Sequence, residues 1–428
     1  MRFLIDFIFI LFSFWYLFLA IFRRKPLAPI GIRFFLNPAE LKKELGDKRP
    51  IWLHAVSVGE TISAGSLVEL LHSRFSKEKI VVSTVTSTGN SVARKIFPKG
   101  ISIVYLPLDL SFAVRRSLSF INPKLFILTE AEIWPNLILE LKRRKIPIAL
   151  INGRISDKSF RGYTMLKFLF LPLLCSINLF CMRTQDDASK VIKLGVPRER
   201  VKVTGSTKFD LALSYKLDKA REENLRRKLN ISDKDTVMVC GSTHKPEEKI
   251  IAGIFLELSK EYHNLKLIVA PRHIERAARI KKLYDVLGLP SQFYSSLVSG
   301  EPASKRIIIV DKIGVLRDLY ALCTLAFVGG SLTKHGGQNF LEPAGFKKAV
   351  FFGKWIYNFK QEAKLLIESG GAIMVENGED LKETLFRLLA DKKKLKIMGE
   401  AAHAALEQNS GTTLKNLELI QNLLEVTG

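Results

Sequence analysis

The chain has 428 residues, 47% hydrophobic and 25% charged, which suits a globular protein of two domains. Its 66 Lys and Arg against 42 Asp and Glu give a formal charge of +24, an excess suited to an anionic membrane surface or phosphorylated substrates. The basic residues are scattered and no zinc-finger spacing or aromatic recognition motif occurs, so no nucleic acid partner is expected; four widely spaced cysteines and seven unpaired histidines imply neither disulfide nor metal.

Residues Phe3 to Phe22 are apolar except for Asp6 and Ser13, about the length that crosses a bilayer core. Arg23-Arg24-Lys25 follows at once, and Pro26 ends any helix. A cleaved signal peptide carries its positive charge before the apolar run, so residues 1–25 read as an uncleaved N-terminal membrane-anchor helix. The positive-inside rule then sets the rest of the chain on the cytoplasmic face of an inner membrane. Asp6 also permits a helix lying in the membrane interface.

Beyond the anchor, short β-rich runs alternate with segments of helical period, the pattern of parallel α/β domains. In a first domain, residues 26–210, the predicted strands are Ile51–His54, Ile80–Thr84, Ser102–Leu106, Leu125–Thr129, Ile148–Asn152, Leu179–Met182 and Val201–Thr204. Predicted helices include Ala64–Phe75, Leu137–Arg144 and Asp186–Leu194. Residues 211–234 are highly charged and read as a linker containing a helix. A second α/β domain, 235–428, has predicted strands Val237–Cys240, Leu267–Ala270, Ile307–Val310, Leu325–Val328 and Ala349–Phe352. Two such domains are expected to face one another across a cleft, with ligands at the carboxyl ends of the strands.

Several strand ends carry chemistry. The stretch from Phe327 to Ala344 begins as an apolar strand, breaks at Gly329-Gly330 and re-forms as a helix with Glu342 in its first turn. Paired glycines let a backbone approach a ligand closely, a helix N-terminus offers N–H groups to an anion, and Glu342 suits the hydroxyls of a ribose. The pattern fits a nucleotide-sugar pocket, or a tight strand-to-helix turn without a ligand. After the first strand, Ser57 and Glu60 have capping-box spacing, and a carboxylate at that strand end equally suits a general base. Glu130 and Glu132 follow the fourth strand, where either caps the helix begun by Pro135 or faces the cleft.

Lys208, after Gly205-Ser206-Thr207, ends the last strand of the first domain as a phosphate contact or a solvated lysine. In Pro271-Arg272-His273 the arginine is placed to grip a phosphate with two parallel hydrogen bonds. Gly241-Ser242-Thr243-His244 and Gly314-Val315-Leu316 are further strand-end turns. Asp233-Lys234-Asp235 has the D-x-D form of metal-dependent sugar transferases but reads as a solvated turn. The segment from Lys158 to Leu174 interleaves basic and apolar residues, which suits a membrane surface, a lipid phosphate, or a core helix with basic flanks.

These motifs, in this order, resemble the Kdo (3-deoxy-D-manno-octulosonic acid) transferases of lipopolysaccharide biosynthesis. The resemblance spans nearly the whole chain and rests on His54–Glu60, Glu130–Asn136, Asn152-Gly153-Arg154, Gly205–Asp210, Pro271-Arg272-His273 and Phe327–Ala344. It implies the GT-B architecture, two Rossmann-like domains with the donor bound mainly by the second. It implies inverting transfer of Kdo from CMP-Kdo to a phosphorylated lipid A precursor (lipid IVA), without metal or cofactor. Glu60 is then the general base, and Glu130 and Lys208 stabilise the transition state. CMP is implied to contact Pro271, Arg272, Gly314, Val315, Leu316, Asn339, Phe340, Leu341 and Glu342. Val315 stands where relatives often have glutamate, and Gln338 and Phe340 replace a frequent His and Pro, which changes side chains but leaves backbone contacts available. Two other readings share part of the pattern: a membrane-associated GT-B enzyme using a UDP-sugar and a lipid-linked acceptor, and a non-enzymatic basic membrane-binding module. The second of these has no use for Glu60, Glu130 and Arg272 at strand ends.

Overall fold

The computed structural model describes residues 31–34, 39–130, 132–297 and 302–427. The expected anchor, residues 1–25, lies outside the described residues. Among the described residues no helix is long and apolar enough to cross a membrane. The chain divides into two compact units: one runs to Asp210 and takes in the segment from Ser410 onward, and the other is Leu211–Asn409.

The first unit holds strands β1 (Ile51–His54), β2 (Ile80–Thr84), β3 (Ser102–Tyr105), β4 (Leu125–Thr129), β5 (Ile148–Gly153), β6 (Leu179–Met182) and β7 (Val201–Val203). They form one parallel sheet in the order β3-β2-β1-β4-β5-β6-β7. Strands β1, β2, β4, β5 and β6 are buried at every position, which is why they read as near-continuous apolar runs: helices cover both faces. Side chains alternate between two cores. Trp52, Phe126, Leu128 and Leu150 pack on one face, and Ile51, Leu53, Ile127 and Ile151 on the other.

That second face is completed by Leu417 and Ile420 of the helix Thr412–Thr427. The sequence places this segment in the second domain; the structure assigns it to the first. Asp210 explains the difference, since its carboxylate accepts the N–H groups of Gly411 (2.6 Å) and Thr413 (2.6 Å), and Thr412 donates its hydroxyl to the Thr204 carbonyl (3.0 Å).

The second unit holds β8 (Thr236–Thr243), β9 (Leu265–Pro271), β10 (Ser291–Phe293), β11 (Ile307–Ile309), β12 (Leu325–Val328), β13 (Ala349–Gly353) and β14 (Ala372–Val375). All pairings are again parallel, in the order β10-β11-β9-β8-β12-β13-β14. Strands β10 and β14, unpredicted from the sequence, are the two edges. The segment expected as a linker is part of this unit: Leu225, Leu229 and Ile231, in and just after the helix Lys219–Lys228, pack with Val237 and Val239. In each sheet the strand order reverses beside the first strand, between β1 and β4 and between β8 and β12. Such switch points open a crevice at the carboxyl ends of the strands.

Candidate active site

At the first switch point the chain leaves β1 and enters the helix Val58–Ser63, capped by Ser57. Glu60 returns the bond, though to the N–H of Val56 and not of Ser57: Val56 donates to Glu60 Oε2 at 2.9 Å, and the Ser57 hydroxyl donates to Oε1 at 2.9 Å. From the other side of the switch point, Thr129 at the end of β4 shares its hydroxyl proton between the His54 carbonyl (2.8 Å) and Oε2 (3.2 Å). The capping and cleft-carboxylate readings are therefore compatible at Glu60. Burial raises its pKa; the bonds from Val56 and Ser57 oppose the rise and the Glu130 charge adds to it.

Glu130 follows directly on β4 with φ 62°, a left-handed conformation that a non-glycine residue adopts only where its surroundings hold it. Its N–H donates to the Ile151 carbonyl (2.9 Å) and its carboxylate pairs with Arg183. Arg183 in turn donates to the Asn152 carbonyl (3.1 Å) and side chain (3.0 Å), so two residues of the resemblance, Glu130 and Asn152, meet on one guanidinium. Neither Glu130 nor Glu132 caps the next helix. Asp109 does, accepting the N–H groups of Asn136 (3.0 Å) and Leu137 (2.9 Å). Glu132 is half-buried, and burial followed by the charges of Glu60 and Glu130 pushes its pKa up to about 7. Lys208 does not end a strand. β7 stops at Val203, and Lys208 sits in the first turn of the helix Thr207–Ser214. Its neighbour Thr207 joins Glu60, Ser63, Thr129 and Asn152 in lining a shallow hollow beside the switch point.

The second switch point is held by backbone bonds. Gly329 and Gly330 do make a tight turn after β12, but its N–H groups are taken. The buried Glu247 carboxylate accepts four: His244 (2.8 Å) and Gly330 (2.8 Å) at Oε2, Ser331 (3.0 Å) and Leu332 (3.0 Å) at Oε1. A Cβ at Gly329 would stand 2.6 Å from Thr243 Cα, so this glycine lets two protein backbones meet. Glu247, the first residue of the helix Glu247–Glu261, was not singled out from the sequence. The signal was present in a pair of acidic residues opening a helix after a strand-end turn.

Pro271 closes β9, and the exposed Arg272 is held by its N–H on the Thr243 carbonyl (3.0 Å). Gly314 has φ 87° and Val315 begins the helix Leu316–Leu322. Asn339 donates to Glu342 Oε1 (3.1 Å) and accepts the N–H of Leu341 (3.2 Å). Burial raises the Glu342 pKa, with Arg317, Asn339 and Arg272 opposing. Arg272, Arg317 beside Leu316, and Asn339 are thus gathered around one carboxylate. Phe340 and Leu341 turn their side chains inward: Phe340 is fully buried, stacked on Phe352 with centroids 4.2 Å apart, so these two positions offer a ligand backbone only. Asp233 and Asp235 are engaged by Arg226 (2.7 Å) and Lys266 (3.2 Å).

The model of the 3-deoxy-D-manno-octulosonic-acid transferase (kdotransferase) family matches residues 30–211. The 3-deoxy-D-manno-octulosonic acid transferase of Haemophilus influenzae is 34% identical over 378 residues, 88% of this chain and 87% of that protein. A bifunctional glycosyltransferase/methyltransferase of Fusobacterium nucleatum is 36% identical over 384 residues; these are 89% of this chain, which spans 58% of that longer protein. The crystal structure of a glycosyltransferase from Rickettsia africae superposes with a TM-score of 0.58 at 15% identity, over 88% of this chain and 99% of that one, and shares the GT-B type of fold. The chain accordingly belongs to the 3-deoxy-D-manno-octulosonic acid transferase family.

Proposed function

We propose that this Kdo transferase moves Kdo from CMP-Kdo to a phosphorylated lipid A precursor of the lipid IVA type, with inversion at the anomeric carbon. The observation that carries the reading is Glu60: a half-buried carboxylate at a switch point, bonded from both flanking strand ends, with its proton affinity raised by burial. A sugar hydroxyl is a poor nucleophile, and a carboxylate that takes its proton as the new bond forms contributes roughly 10²–10⁴-fold. Glu60 takes that role, with Glu130 and Lys208 stabilising charge in the transition state. The bond between Kdo and the phosphate breaks, and CMP leaves with the bonding pair. Arg272 meets the phosphate, and the Gly314–Leu316 turn and Asn339–Glu342 hold the nucleoside.

The acceptor reading draws support from the surface of the first unit. Met165 and Phe168 are 76% and 78% exposed, beside the exposed Lys158, Arg161 and Lys167. Such a patch suits an anionic membrane, where each basic residue contributes about 1 kcal/mol. We place the protein on the cytoplasmic face of the inner membrane, held by residues 1–25. Incubation with CMP-Kdo and a tetra-acylated lipid A precursor, read by mass, tests the proposal. Stepwise gains of Kdo mass are expected; no gain while CMP still binds would overturn the acceptor assignment.

A further inference from the structure

Three histidines from three separate connections meet in the second unit. His244 directly follows β8, His273 follows β9, and His335 lies in the loop after β12, adjacent strands in the order β9-β8-β12. The rings of His244 and His335 stack with centroids 4.1 Å apart and planes 16° apart, and His273 meets His244 edge-on at 5.9 Å.

Nε2 of His244 is buried and has no hydrogen-bond partner. A buried polar atom without a partner costs about 1–3 kcal/mol, so its retention asks for a reason. Thr333 Oγ1, in the same loop as His335, is likewise buried and unpartnered. The imidazole packs over Gly330, where a Cβ would lie 3.3 Å from its Cδ2 and 3.5 Å from its Nε2; Gln338 Nε2 stands 3.5 Å from the same point. The backbone under His244 is fixed, because its N–H and that of Gly330 both donate to Glu247 Oε2. His335 is exposed and followed by Gly336 and Gly337 at φ 87° and 77°. The loop carrying it is tied through Tyr357 to the Lys334 carbonyl (2.8 Å) and through Asn358 to the His335 carbonyl (3.1 Å).

Besides its two partner rings, His244 faces Glu248 and Arg276, which pair through two bonds of 2.8 and 3.0 Å. Burial first, then the neighbouring imidazoles, bring its pKa down to about 4, which leaves a neutral ring with one N–H at physiological pH. The rings stack instead of converging on a point, and among the described residues no group of three His, Cys, Asp or Glu has the arrangement to hold a metal ion. Imidazole edges and a side-chain amide at strand ends instead suit an anionic oxygen group, which accepts several hydrogen bonds at once.

We propose that His244 is a donor-binding residue: its Nε2 edge contacts an anionic oxygen group of the nucleotide sugar, the phosphate or the sugar-acid carboxylate, and His335 is the cover that turns aside to admit it. This rests on the donor reading above. His244→Phe keeps a flat ring and removes both nitrogens, and His244→Gln restores an amide near the Nε2 position. For the Phe variant Tm is expected to hold or rise, since an unpaired atom is removed, while donor recognition weakens by about tenfold or more, the worth of one charge-assisted hydrogen bond. The Gln variant should recover most of it.

A weaker CMP Kd with an unchanged cytidine Kd identifies the phosphate as the partner. An unchanged CMP Kd with a raised KM for CMP-Kdo identifies the carboxylate. Wild-type values for both ligands in a folded Phe variant would overturn the inference. So would a fall in Tm that the Gln variant shares, since that marks a packing residue. Wild-type protein that neither binds CMP nor turns over CMP-Kdo would overturn the donor reading itself, and the inference with it.

Discussion

The two sheets solve the same placement problem with opposite results. Each sends a glutamate from the first helical turn after its first strand into its own switch point: Glu60 after β1, Glu247 after β8. Both carboxylates have pKa values raised by burial and opposed by hydrogen bonds. Glu247 accepts four backbone N–H groups, which cannot turn away. Glu60 accepts one backbone N–H and two hydroxyls, and hydroxyls rotate. The type of donor, more than the position of the acid, separates a fastener of loops from a carboxylate whose donors can turn aside.

The largest expected effect breaks the comparison at Glu60. Glu60→Gln should lower the initial rate of Kdo transfer by roughly 10²–10⁴-fold while the folded protein keeps its CMP affinity. Near-normal turnover would remove Glu60 from the role of base. Glu247→Gln should do the reverse and damage the fold first. Whichever way the amide turns, its NH₂ meets two backbone N–H groups, at a cost of about 2–4 kcal/mol measured by urea unfolding. A stable Glu247→Gln variant with lost activity would make Glu247 a reagent too, and the contrast would fail.

The smallest effect sharpens the contrast through pH. Glu132 titrates near 7 in the folded protein because burial and the charges of Glu60 and Glu130 hold its proton. An unfolded glutamate titrates near 4.3, so between those values the folded state binds more protons and stability falls as pH rises. Solvent screening of this half-exposed carboxyl leaves an expected loss of about 1 kcal/mol between about pH 4.5 and 7. Glu132→Gln should flatten most of that slope in urea midpoints. An unchanged slope would place the proton elsewhere.

What was legible followed from burial. Strands β1, β2, β4 and β6 were predictable to the residue because a parallel strand covered on both faces is one apolar run. Ser291–Phe293 escaped as a three-residue strand with two polar positions, and Ala372–Val375 because a four-residue apolar run cannot be told from a buried helix segment by its pattern alone. Glu60 was readable since its partner Ser57 stands three residues away. Glu247 was not, because its amide partners at Gly330 and Ser331 come from 83 and 84 residues downstream. The Asp109 cap on the Pro135 helix, 27 residues upstream, was hidden for the same reason, which left Glu130 and Glu132 as apparent caps. The three histidines belong to three strand ends, and only the sheet order makes them neighbours.

The clasp of Asp210 on Gly411 and Thr413 has a consequence for synthesis on the ribosome. Leu211–Asn409 is complete before the helix Thr412–Thr427 has been made, yet that helix covers Ile51, Leu53 and Ile127 in the unit begun first. At ordinary elongation speeds the nascent first unit waits roughly 10–40 s with this apolar face uncovered. The part of the protein translated earliest is the last to be finished, and that interval is its window for chaperone capture or aggregation.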